Sequence, residues 1–217
     1  MKSYEYINHV RRAVLASCVI TLIGCSSKPS TSDIENGLAQ MYGCPLLEVS
    51  DTKKVNGIEN GEDSYVVDYT FLLEMKDGQE GAIRFHREQL ALEQEVERKR
   101  VETANARDNI VGWDDSLLIA AEAAEESAKQ KALAPMQNCT TPSFLLLTKM
   151  EMARDAGIQQ NPDAILLPVA AKFSGRAEMV KSEQGWLITG TPSNDIEEFV
   201  FASPMKLNEL NPVGANN

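Results

Sequence analysis

The stretch Tyr65-Val66-Val67-Asp68-Tyr69-Thr70-Phe71-Leu72-Leu73-Glu74-Met75-Lys76 decides the fold. Tyr65, Val67, Tyr69, Phe71, Leu73 and Met75 alternate with Asp68, Thr70, Glu74 and Lys76. A period of two puts every second side chain on one face, so this is a strand with one buried side. Asp77-Gly78 then marks a turn. A second alternation follows far downstream, with Phe173, Gly175, Ala177 and Met179 set against Lys172, Ser174, Arg176 and Glu178. There Glu183-Gln184-Gly185 turns the chain into Trp186-Leu187-Ile188-Thr189, an antiparallel hairpin.

Between these strands the periodicity changes. Residues 83–108 hold six acids and six bases around an apolar stripe at Phe85, Leu92 and Val96. Asp114-Asp115 are placed to cap a second helix, with Leu117, Ala121, Ala124, Ala128 and Ala132 as its inward stripe. Its acids fall early and Lys129 and Lys131 late, as the helix dipole prefers, and Pro135 ends it. Phe144–Ala156 reads as a third helix stopped by Gly157. Near the start, Ser32 and Glu35 have capping-box spacing, and Ile34, Leu38 and Met41/Tyr42 follow on one helical face until Gly43. Residues 45–50 read as a short strand. Asp51–Asp63, with Asn56-Gly57 and Asn60-Gly61, reads as a solvated connection. A calcium loop over Asp51–Glu62 is rejected, because Lys53 and Val55 stand where oxygen ligands are needed.

The pattern is α+β: an antiparallel sheet packed on an N-terminal helix, with a long helical insertion between strands at about 83–156. Residues 33–207 form one domain, and 208–217 read as a disordered tail. In element order this is similar to cystatin-like and nuclear-transport-factor-like α+β lipoproteins. That resemblance implies a sheet curved around a helix, and no particular activity.

Residues 1–24 are read as a cleaved signal peptide. Lys2, Arg11 and Arg12 form a basic start, and Ala13–Gly24 carries no charge. Such a run is shorter than the roughly 20 residues that a membrane span requires. It ends Leu22-Ile23-Gly24-Cys25, followed by Ser26 and Ser27. These residues resemble the lipobox of bacterial lipoprotein precursors. The resemblance implies diacylglycerol transfer to the Cys25 thiol, cleavage after Gly24, and acylation of the new amino terminus by a chain such as palmitate. Ser26 in place of Asp favours the outer membrane, facing the periplasm, over the inner one. Residues 26–32 then serve as a tether beyond the lipidated Cys25.

The whole chain has 217 residues and a formal charge of −11. Loss of Lys2, Arg11, Arg12 and Glu5 with the signal makes the remainder more acidic still. An acidic body argues against nucleic acid, whose phosphates need cations, and is repelled by anionic lipid. The membrane partner is therefore engaged through lipid on Cys25. Of the cysteines, Cys18 leaves with the signal, so Cys44 and Cys139 remain. In an oxidising envelope they are expected to pair, the alternative being two separately buried thiols.

Motifs for chemistry are absent. There is no CxxC, HExxH, GxSxG, GxGxxG or Walker loop, so no catalytic residue, cofactor or metal is assigned. His86, alone after cleavage, is expected as a surface histidine on a charged helix. Glu62/Asp63, Asp114/Asp115, Glu125/Glu126 and Glu197/Glu198 read as caps and solvated faces. Arg98-Lys99-Arg100, flanked by Glu95, Glu97 and Glu102, reads as ion pairing. Trp113, between two helices, is the candidate partner surface, with hinge packing as its alternative. The expected function is a non-enzymatic, lipid-anchored module that binds an envelope protein. A small-ligand carrier using the sheet face near Tyr65, Tyr69 and Trp186 is the second reading, and a carboxylate-dependent hydrolase the third.

Overall fold

A computed structural model describes residues 28–109 and 115–210. Cys25, with the rest of the signal segment, and Trp113 lie outside the described residues, as do residues 211–217 of the expected tail.

The fold is α+β, with four antiparallel strands in the order β1-β2-β3-β4. β2 spans Ser64–Met75, and all six of its odd-numbered side chains are buried. Burying one such large apolar side chain is worth roughly 1.5–3 kcal/mol, which makes this strand the spine of the core. β3 (Pro168–Ser182) lies beside it in a register that sets Phe71 against Phe173. Their rings stack at 4.9 Å between centroids. β4 (Gly185–Phe201) completes the hairpin read from the sequence, with Gly185 at φ 114 in the turn.

β1 (Leu47–Glu59) corrects the reading of Asp51–Asp63 as a connection. The long edge of β2 supplies ladder partners, and these override the local turn preference of Asn56-Gly57. Gly57 is instead a close-approach position, opposite Val67 and under the ring of Tyr65, where a Cβ would collide. Only residues 60–63 turn, with Gly61 at φ 129. The extra length is absorbed by register shifts at Ser50/Lys53 and Lys54/Asn56.

α1 (Thr31–Met41) packs against β1 and β4. Its capping box is Ser30 with Asp33, not Ser32 with Glu35. Ser30 holds the extended backbone that an N-cap needs (φ −86, ψ 167), whereas Ser32 is already in the first turn. Ile34, Leu38 and Tyr42 fill the space over the sheet. Asn194 pins this arrangement: its Oδ1 accepts from the Tyr69 hydroxyl at 2.7 Å, and its amide donates to the Tyr42 hydroxyl at 3.1 Å.

The helical insertion is longer than read. α2 covers Gly78–Asp108, α3 Ser116–Leu133 with a 3₁₀ turn at Ala134–Met136, and α4 Thr141–Gln160. Asp77 and Gly78, both at positive φ, lead straight from β2 into α2. Gly157 does not stop α4. It lies where Ile165 and Leu166 pass close by, and its carbonyl accepts from Asn161 to close the last turn. The Asp115 side chain makes no capping bond to α3. Leu117 is not part of the inward stripe but 78 % exposed, because the face turned to α2 runs through Leu118, Ala121 and Ala128.

Cys44 and Cys139 form a disulfide across a sequence separation of 95. It ties the corner after α1 to the segment before α4, beside a Thr140 N–H to Gly43 carbonyl bond of 2.9 Å. A second small cluster joins Ile165, Leu167, Ala202 and Leu210. The tail read as disordered from Asn208 therefore begins inside a short helix, α5 (Leu207–Leu210), whose last side chain is buried. Arg87 clasps its end by donating to the carbonyls of Glu209 and Leu210.

Candidate functional site

α2 and α3 form an antiparallel hairpin. At 1.5 Å per residue, the 31 residues of α2 extend about 46 Å. Gly81, Ala82, Phe85, His86 and Gln89 are buried toward its start; beyond them, among its residues, only Thr103 is. The distal part is therefore supported by α3, not by the sheet. Its charges are largely spent on each other. Arg98 pairs with Glu95 and Glu102, Lys99 with Glu102, Arg100 with Glu97, Lys129 with Glu125, and Arg107 crosses to Glu122. The basic run is thus ion-paired along its own helix.

Among the side chains that the hairpin leaves uncovered are several large apolar ones. Val101 is 49 % exposed, and Leu117 and Ile119 in the first turn of α3 are 78 % and 57 % exposed. Leu117 and Ile119 come within five residues of the undescribed residues 110–114, among them Trp113.

The root of the hairpin is a polar junction of three helices. Gln89 of α2 is fully covered, and its amide is oriented with nitrogen toward two acceptors, because the reverse would set oxygen against oxygen. It donates to the Ala132 carbonyl of α3 and to Glu151 Oε1 of α4, both at 3.2 Å. Four residues further along α2, Glu93 accepts from Arg154 of α4 at 2.8 Å on each of its oxygens. Arg154, with 0 % side-chain exposure, also binds Asp155. Burial works against the Arg154 charge, but Glu93 and Asp155 outweigh it and raise its pKa above the ordinary value.

Burial also raises the Glu151 carboxyl to about 7; Arg154 opposes this, and Glu93 and Asp155 add to it. His86 corrects the surface reading, for it is wholly buried, with Nε2 3.2 Å from the Pro168 carbonyl. Burial lowers its pKa to about 4, so the imidazole is neutral. Its Nδ1 and the Nη1 of Arg154 are buried without a partner among the described residues.

The side chains proposed to line a ligand-binding face do not line one. Tyr65, Tyr69 and Trp186 are 4 %, 1 % and 5 % exposed and belong to the core. Trp186 sits edge-on to Tyr65 at 6.0 Å, and Lys54 lies over the same ring. Of the acidic pairs, Glu197 and Glu198 share Lys172, and Glu125 and Glu126 bind Lys129 and Gln130. Among the described residues, no three His, Cys, Asp or Glu side chains are grouped to hold a metal. No described helix is long and apolar enough to cross a membrane.

Gln89, Glu93, Glu151, Arg154 and Asp155 went unread in the sequence. One signal was available: Arg154 continues the buried stripe of Leu147 and Met150 on α4, and His86, Gln89 and Glu93 share one face of α2. A charge inside an apolar stripe implies a buried partner. No protein-family model matches the chain, and neither a curated protein nor a solved structure matches it significantly.

Proposed function

We propose that this chain is a lipid-anchored protein of a bacterial cell envelope, and that its α2–α3 hairpin docks a protein partner. The observation that carries the docking reading is the hairpin itself. It extends past the core, neutralises its own charges, and leaves Leu117 and Ile119 in solvent. Large apolar side chains left in solvent on a projecting element are ones that a partner can cover. A protein fits that role better than a bilayer, since the chain's charge of −11 repels anionic lipid. In this reading Cys25 carries the lipid, the outer membrane is the favoured site, and no step of covalent chemistry is assigned to the chain.

The anchoring part is tested by intact mass and membrane fractionation of the full-length precursor expressed in a Gram-negative host. Cleavage after Gly24 with a triacylated Cys25, absent in Cys25→Ser, is the expected outcome; an unmodified soluble protein would overturn it. The docking part is tested by Leu117→Asp with Ile119→Asp. This pair should abolish a stoichiometric complex while leaving the thermal melt unchanged, since both side chains are exposed.

A further inference from the structure

Of residues 26–32, expected as a free tether, 28–32 belong to the folded body. Pro29 is buried, and its carbonyl accepts from Lys54 Nζ of β1 at 3.0 Å. Lys28 pairs at 3.7 Å with Glu59, the last residue of β1. Ser30 opens α1 through its capping box with Asp33. These contacts hold Lys28 beside the β1–β2 turn, and two residues, Ser26 and Ser27, stand between it and Cys25. Three Cα steps span at most about 11 Å in any conformation. We propose that the end of the sheet carrying the β1–β2 and β3–β4 turns is the face that this chain sets against the bilayer, seated there by its two-residue tether. The orientation rests on the anchoring reading above, in which Cys25 carries the lipid.

Two turns share that end of the sheet. Residues 60–63 join β1 to β2, and residues 183–184 join β3 to β4. The Lys181 N–H donates to the Asp63 carbonyl at 2.9 Å, which ties the two turns together. A Cβ on Gly185 would lie 3.1 Å from the Asp33 carboxylate, so the second turn also abuts the start of α1. The turn residues Asn60, Glu62, Asp63, Glu183 and Gln184 are all exposed. From this end β2 runs from Ser64 to Met75, roughly 35 Å along the strand at about 3.3 Å per residue. There α2 begins, so the α2–α3 hairpin is rooted at the end of the sheet away from the bilayer. Charge does not create this orientation. Glu59, Glu62, Asp63 and Glu183 are interspersed with Lys28, Lys54 and Lys181, which leaves no basic patch for anionic headgroups. The lipid and the short tether do the seating, against a zwitterionic surface.

The test uses the full-length chain, expressed as its precursor, purified in detergent and returned to phosphatidylcholine vesicles that are floated in a density gradient. A fluorescent non-natural residue replaces Asn60, Gln184 or, at the far end, Glu80, all of them exposed. Spin-labelled headgroups quench only what lies close to them. They should remove most of the emission at 60 and 184 and leave that at 80. Inserting about ten Gly/Ser residues between Ser27 and Lys28 adds a coil of roughly 17 Å and should restore the emission at 60 and 184. A chain that does not float refutes the anchoring reading, and the orientation with it. A chain that floats with 60 and 184 quenched no more than 80 refutes the orientation alone. Quenching that survives the insertion would mean that surface affinity, not the tether, seats the chain, and would overturn the proposal as well.

Discussion

Arg154 and Glu93 form a bidentate ion pair, with Nη2 2.8 Å from both carboxylate oxygens, across a sequence separation of 61. The pair is asymmetric. The guanidinium is wholly buried, whereas the Glu93 side chain is 41 % exposed. A buried charge needs its partner far more than a hydrated one does.

That asymmetry gives opposite expectations for two similar substitutions. Glu93→Leu leaves Asp155 as the one ion-pair partner of the buried guanidinium among the described residues and should cost about 2–4 kcal/mol. Arg154→Leu removes the buried charge itself, and its partners Glu93 and Asp155, 41 % and 50 % exposed, stay hydrated, so the cost should be smaller, below about 2 kcal/mol. Urea denaturation of the two variants checks the order. A larger loss for Arg154→Leu would refute it.

Global stability should show two titrations that cancel. Glu151 binds its proton more tightly in the folded state, so its contribution is complete below pH 4.5 and is lost as the pH rises to about 7. His86 binds a proton less tightly when folded, so its contribution is complete above pH 6.5 and is lost as the pH falls to about 4. From pH 4.5 to 6.5 these slopes oppose each other, each near 1.4 kcal/mol per pH unit. Glu151→Gln should therefore become more stable with rising pH in that window, and His86→Gln less stable. Parallel pH profiles for the two variants would contradict the assignment.

Gly175 lies opposite Tyr69 in the β2–β3 ladder, and a Cβ there would meet the tyrosine ring and Asn194. Gly175→Ala should cost about 1–3 kcal/mol by overpacking. Its thermal melt should move far more than that of Gly61→Ala, whose added methyl meets open space and only the strain of φ 129. Equal shifts would show that backbone strain, not crowding, sets the cost.

The Cys44–Cys139 bridge closes a long loop that holds β1, β2, α2 and α3. Loop entropy places its contribution at roughly 4–5 kcal/mol. Cys44→Ser with Cys139→Ser should lower the melting temperature steeply, and reduction of the unaltered protein should do the same. A melt indifferent to reductant would remove the disulfide from the account.

Where local pattern and tertiary demand agree, the fold was readable. The alternation from Tyr65 to Met75 and the hairpin turn at Gly185 are of that kind, because each is set by neighbours in sequence. Asn56-Gly57 misled, since a two-residue turn preference is weaker than the ladder that β2 offers to β1. His86 misled for a related reason. Its flanks, Arg84, Arg87 and Glu88, are charged, yet on a helix burial follows residues three and four away, and these are Ile83, Ala82, Gln89 and Leu90. The polar junction was least legible: Glu93 and Glu151 are 58 positions apart, and only packing brings them to one guanidinium. The two long charged helices proposed to dock a partner were legible as helices. Which of their side chains stay in solvent depended on the way α3 turns against α2.

The central claim, that the hairpin docks a protein, is tested most directly by site-specific photo-cross-linking in intact cells. A photoreactive residue replaces Leu117 in the full-length, lipidated chain. The account predicts one discrete, light-dependent adduct with a single envelope protein, absent when Ile119→Asp is added and absent from a control probe at buried Leu147. No adduct at position 117, or cross-links to lipid alone, would contradict it.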